Sequence, residues 1–318
     1  MISYIGARLL SSLLVLFIVS VVAFVLMNVV EGDPARAMLE LNATEEKIAA
    51  VRASLGLDKP LHERYAHWIY NAFQGDLGLA LTSRIPITEL FREKLVPTMQ
   101  LGILALIVVL CLSIPVGVLA ALRPGSKTEV AASTTMIVGA SIPEYLSGIA
   151  LVYIVGFELE LLPRSGYVPL SEDVIESLKH MVLPVIALSL ISTTLVMRQT
   201  RSAMINVLQD DYIRTARAKG LRDRAVIIRH GLRNAMIPVI TVFGFQVGVV
   251  FGGAVITEQV FAIPGMGRLF VQSVVQVQDY SVVQNLVMFF AIITVAVNLL
   301  VDLTYPLIDP RIRQGISA

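Results

Sequence analysis

The chain has 318 residues, 56 % of them hydrophobic and only 15 % charged, with a formal net charge of +1 and a mean hydropathy of +0.76. A soluble domain carries nearer a quarter charged residues, so the composition argues against one and for apolar runs that cross a bilayer. The small net charge gives no nucleic-acid signature, and the single cysteine, Cys111, excludes an internal disulfide and a cysteine-built metal site.

In chain order, 22 uncharged residues from Leu9 to Val30 read as a first span. The run exceeds a signal-peptide core, and Glu31-Gly-Asp-Pro34 follows in place of a small-residue cleavage site, so the span is expected to stay uncleaved. Residues 31–96 form a polar excursion. Within it, Thr44-Glu-Glu reads as a helix start with acids in the first turn, Ile48, Val51 and Leu55 share one face, and Gly56 ends the helix. The second span is expected over Pro97–Leu122, and the third from about Val130 to Phe157. That third span holds Pro143 and one charge near mid-depth, Glu144. The fourth span, about Met181–Met197, is short. The fifth, about Ala235–Thr257, carries Gly244, Gly248 and Gly252, a small-xxx-small stripe that lets two helix backbones approach. The sixth covers about Ser281–Val301.

This is an all-α polytopic chain with six spans, one transmembrane domain over residues 1–318. The amino end, the 123–129 loop, the 198–235 segment and the tail from Asp302 hold 14 Lys and Arg against 6 acids. The opposite side holds 11 basic residues against 17 acids. The positive-inside rule therefore predicts both termini in the cytoplasm and residues 31–96 as an extracytoplasmic loop.

The segment 198–238 is too long for a connecting turn. It carries nine basic residues and three acids, and reads as two short helices broken at Gly220. Orientation alone needs positive charge but no such shape, so the pattern is that of a docking surface. Thr215-Ala-Arg-Ala-Lys-Gly-Leu221 resembles the cytoplasmic "EAA" coupling loop of bacterial ABC importer permeases, in the form used by the dipeptide, oligopeptide and nickel branch. No Glu precedes Ala216, and Pro238 follows Gly220 by eighteen residues; both departures fit that branch rather than a sugar or amino-acid importer. Leu55-Gly-Leu-Asp-Lys-Pro-Leu, Gln74-Gly-Asp-Leu-Gly, Ile263-Pro-Gly-Met-Gly-Arg and the Asp309-Pro-Arg terminus are similar to the same branch, so the resemblance spans nearly the whole chain.

The resemblance implies a type I importer-like permease in the bacterial inner membrane, importing di- or oligopeptides. A nickel chelate, glutathione or another small solute is the alternative cargo. It implies a second, non-identical permease, two ATPase subunits that bind the ATP and Mg, and an extracytoplasmic solute-binding protein as partners. It places ATPase coupling on Arg214, Thr215, Ala216, Arg217, Ala218, Lys219, Gly220 and Leu221. Glu144 is read as lining the translocation route, because a charge at mid-depth needs a wet or hydrogen-bonded setting.

No catalytic residue, metal site or cofactor of its own is expected in this chain. Gly125-Ser-Lys-Thr lacks the earlier glycine of a phosphate loop, and His62, His67, His180 and His230 are scattered. A membrane-embedded enzyme, the reading from another class, would need facing polar groups within the spans, and the expected spans offer a lone carboxylate.

Overall fold

In the computed structural model, which describes residues 2–29, 35, 44–54 and 56–308, the chain is helical throughout, with one isolated bridge between Leu79 and Pro86. The helices are α1 (Ile2–Val29), α2 (Glu45–Ser54), α3 (Leu61–Phe73), α4 (Ile87–Leu122), α5 (Lys127–Ser141) and α6 (Glu144–Glu158). They continue as α7 (Val174–Gln209), α8 (Asp211–Ala218), α9 (Asp223–Val260), α10 (Met266–Val271) and α11 (Tyr280–Ile308). Five of these, α1, α4, α7, α9 and α11, are long and apolar enough to cross a membrane, and the bent pair α5–α6 gives a sixth if it counts as one span. Glu31–Pro34, Leu55 and the Asp309-Pro-Arg terminus lie outside the described residues.

The third span departs from expectation. Sequence alone predicts one crossing from about Val130 to Phe157; instead α5 and α6 meet at a bend of 102°. Proline explains the break. Pro143 has no N–H to give, and its ring disfavours helical geometry at Ile142, which is extended at φ −86°, ψ 127°. The fourth span also differs. Hydropathy alone marks 17 residues, whereas α7 runs for 36, about 54 Å at 1.5 Å per residue. Asp173 starts it early: its Oδ1 accepts the Ile175 and Glu176 N–H groups at 2.8 and 3.0 Å. At the other end Arg198 and Arg201 continue the helix past the apolar run, so the charged segment begins as a rigid extension of a span.

The core forms where α7 packs against α4 and α9. Leu101, Ala105, Leu183, Leu188 and Val250 are buried at one level, and Val109, Val196, Met204 and Val239 at another. Polar bonds add to the packing: Ser192 Oγ donates to Gln246 Oε1 of α9 at 3.0 Å, and Thr194 Oγ1 to the Met136 carbonyl of α5 at 2.9 Å. Helix α1 lies outside this core, against α11, with Arg8 and Asp302 paired at 3.3 Å.

The glycine stripe of α9 packs unevenly. A Cβ placed on Gly244 would sit 2.6 Å from Val301 Cγ2, and one on Gly248 3.4 Å from Thr294 Cγ2, both on α11. One on Gly252 would meet nothing within 4 Å, because that residue faces away from the bundle. Within this chain, then, packing rests on Gly244 and Gly248 and not on Gly252. Gly244→Leu is expected to lower stability by about 1–3 kcal/mol through overpacking. Gly252→Leu should leave the isolated chain unchanged. Thermal unfolding of the two detergent-solubilised variants checks this, and the reverse order would overturn the assignment.

Candidate functional site

Between α7 and α9 the sequence dictates a small amphipathic helix. Asp210 breaks α7 by turning extended, at φ −65° and ψ 148°, and α8 starts at Asp211. Ile213 and Ala216, three apart, are buried against Val226 and Leu208. The other side carries Arg214, Thr215, Arg217 and Ala218, all exposed. The helix ends in a Schellman motif: the Gly220 N–H bonds the Arg217 carbonyl at 2.9 Å and the Leu221 N–H reaches the Ala216 carbonyl at 3.4 Å. Gly220 has φ +78°, the left-handed conformation that this cap requires.

Of the residues singled out for coupling, Ala216 is thus the buried foot, while Arg214, Thr215, Arg217, Ala218, Lys219, Gly220 and Leu221 form one exposed surface. Arg214 and Arg217 make only long, exposed ion pairs with Asp211 and Asp223, at 3.4 and 3.8 Å. Lys219, Arg222 and Arg224 pair with no acid among the described residues, so the surface is basic and unneutralised.

Sequence reading missed how this helix is tied to the spans. The Tyr212 hydroxyl accepts a 2.7 Å bond from Asn234 Nδ2 and donates to the His230 carbonyl at 3.3 Å. His230 lies in the π-helical turn Val226–Leu232 that opens α9, and such turns concentrate where helices carry function. On the other flank Arg201 of α7 lies 3.0 Å from Glu129 of α5. Glu129 also accepts from Ser133 Oγ at 3.1 Å, and its N–H is capped by Ser126. Helix α8 is thus tied to α9 through Tyr212, and the stem of α7 to α5 through Arg201.

Glu144 opens α6 just after the proline break. One of its carboxylate oxygens accepts the Thr257 hydroxyl of α9. A Cβ on Gly253 would fall 2.6 Å from its other oxygen, so the glycine makes room for the side chain. The residue is half-buried.

A second carboxylate had no place in the expected spans. Glu258, in the last turn of α9, is fully buried. It accepts Thr98 Oγ1 at 2.6 Å, the Arg268 N–H at 2.8 Å and the Gly267 N–H. Thr98 Oγ1 in turn accepts the Met266 N–H at 2.7 Å. This network satisfies the first N–H groups of α10 and accounts for the Gly265-Met-Gly267 run: a Cβ on Gly265 would collide with the Glu258 carboxyl, and one on Gly267 would sit 2.5 Å from Val255 Cα. An acid seven residues before Gly265 has no periodicity that could have revealed the pairing.

A bundle of apolar spans with an exposed basic helix inserted between two of them defines a multi-pass membrane protein with a charged surface outside the apolar layer. The comparisons specify the class. Residues 113–314 match the family described as binding-protein-dependent transport system inner membrane component, and residues 1–85 match its amino-terminal companion. The chain belongs to that family of ABC importer permeases. It is 41 % identical to the dipeptide transport system permease protein DppB of Escherichia coli K12, over 93 % of this chain and 94 % of that one. It is 37 % identical to a probable peptide ABC transporter permease, y4tP, of Sinorhizobium fredii (98 % and 99 % covered). It is 38 % identical to the glutathione transport system permease protein GsiC of E. coli K12, with the same coverage. The fold is also that of an inward-facing crystal form of the MetNI methionine ABC transporter, at a TM-score of 0.57 and 15 % identity, covering 69 % of this chain and 96 % of the other.

Proposed function

We propose that this chain is one permease half of an importer for di- or oligopeptides in the bacterial inner membrane. Its cytoplasmic α8 is the contact for an ATPase subunit, and residues 31–96 face a solute-binding protein outside. A second, non-identical permease completes the pathway, and two ATPases hold the ATP and Mg, so this chain itself carries out no bond chemistry. The observation that carries the reading is the near full-length similarity to dipeptide and peptide permeases, joined to a capped, basic and otherwise unpartnered helix where the spans meet water. ATP-driven closure of the ATPases moves α8, and the bundle exchanges between two states that bind the ATPases unequally. Glutathione, itself a tripeptide, is a second reading favoured by the similarity to GsiC.

Reconstitution with the partner subunits and the binding protein in proteoliposomes tests the reading. ATP hydrolysis and uptake should rise with a dipeptide; a rise with glutathione alone selects the second reading, and no rise with either overturns both. Glu144 is assigned to the route, braced by Thr257. In the same assay Glu144→Gln should assemble normally and take up a cationic dipeptide about fivefold less well than a neutral one, the scale of losing one partly screened charge contact. Equal slowing of both peptides, or failed assembly, assigns Glu144 to helix packing alone.

A further inference from the structure

We propose that the cavity between α1, α3 and α11 binds the phosphodiester headgroup of a membrane phospholipid. The cavity holds about 690 Å³, and Asn28, Arg64, Trp68, Tyr280 and Gln284 are among the residues that line it.

The place is interfacial. Helix α3 is laid along α1 by aromatic contacts: Tyr65 meets the edges of Phe17 and Phe24 at 6.5 and 5.5 Å, and its hydroxyl lies 2.7 Å from Ser20 Oγ. Trp68 stacks on Phe24 at 6.1 Å and donates its indole N–H to Asn285 Oδ1 at 3.4 Å. Ser20 stands nine residues before Val29, about 13 Å along the helix, so α3 rests against a part of α1 that is already apolar on all sides. Leu61, Tyr70 and Phe73 of α3 remain 52, 62 and 89 % exposed. An amphipathic helix with Trp and Tyr on one side, charges on the other and apolar side chains uncovered is the form that lies in a membrane surface.

The site asks for an anion. Arg64 is partly buried, lies 6.0 Å over the Phe24 ring, and has no ion pair or side-chain hydrogen bond among the described residues. Burial lowers its pKa from the ordinary value. Gln284 is 9 % exposed, and its amide has no partner among the described residues. A half-buried guanidinium and an amide open to the same cavity leave donors that a phosphate oxygen satisfies. Lys59 adds a second cation at the rim, against one acid, Glu63, among the described residues. Leu10, Leu13, Leu14 and Ile18, earlier on the α1 helix that lines the cavity, are exposed, apolar surface suited to an acyl chain. That continuity favours a lipid over a free anion. The site lies outside the packed α4–α7–α9 core and away from Glu144, the residue assigned to the route.

Native mass spectrometry of the purified complex, after washing with detergent and adding back phosphatidylglycerol, tests this. Wild type should retain the lipid, Arg64→Gln should retain about tenfold less, and Arg64→Lys should recover part of it. Gln284→Leu gives the same readout should Arg64→Gln fail to assemble. Unchanged retention in Arg64→Gln, or in Gln284→Leu where that variant must serve, overturns the proposal. Displacement of the lipid by inorganic phosphate would assign the cavity to a soluble anion instead, and displacement by a dipeptide would assign it to cargo.

Discussion

Replacing Glu258 with alanine is expected to destabilise the protein by roughly 3–5 kcal/mol, near the lower end of the cost of stranding the three buried donors it accepts from. The carboxylate takes the Thr98 hydroxyl and the backbone N–H groups of Gly267 and Arg268, all in a site closed to water. Truncation strands each of those donors, at about 1–3 kcal/mol apiece where no water replaces the acceptor. It also opens a void beside Gly265. Glu258→Gln keeps the shape and one acceptor, so it should fall between wild type and alanine. Thermal unfolding of the purified variants gives the order. A loss under about 1 kcal/mol for Glu258→Ala would mean that α10 holds its place without the carboxylate, and the two glycines would then need another explanation.

Gly220→Val is expected to reduce transport at least about tenfold while the complex still assembles, on the reading that α8 contacts the ATPase. Nothing lies within 4 Å of a Cβ placed there, so crowding is not the cause. The backbone is: at φ +78° a side chain costs about 1–2 kcal/mol, and a β-branched one is a steric outlier. The chain escapes by opening the cap, which releases the Ala216 and Arg217 carbonyls and turns the basic end of α8 away from its docking position. Hydrolysis should then run without uptake, or fall together with it as the ATPase detaches. Gly220→Asn tolerates the left-handed conformation and should keep most activity. Parallel measurement of ATP hydrolysis and peptide uptake separates these results, and a Gly220→Val variant that transports normally removes α8 from coupling.

The positions of the long spans were legible because twenty apolar residues in a row have one common fate in a bilayer. The Gly220 break was legible too, since a glycine after a short helical run is a local signal. Helix α3 was not: its apolar residues are diluted by His62, Glu63, Arg64 and His67, and only the surface of α1 gives Tyr65 and Trp68 something to cover. Gly252 shows the opposite failure. Its spacing from Gly244 and Gly248 is regular, but α11 follows the stripe only as far as Gly248.

The sequence by itself determined an all-α membrane chain, its family and the basic helix between two spans. Each of these depends on neighbours within a turn or two of helix, or on a run of one kind of residue. Tertiary structure alone decided that Glu144 meets Thr257, that Glu258 holds α10 through Thr98, and that Arg201 joins α7 to Glu129. Those partners lie 113, 160 and 72 residues apart, and no local propensity carries information over that distance. What brings them together is the packing of α4, α7 and α9. Once those helices bury their apolar faces, each polar group left inside must take whichever donor or acceptor the bundle sets beside it.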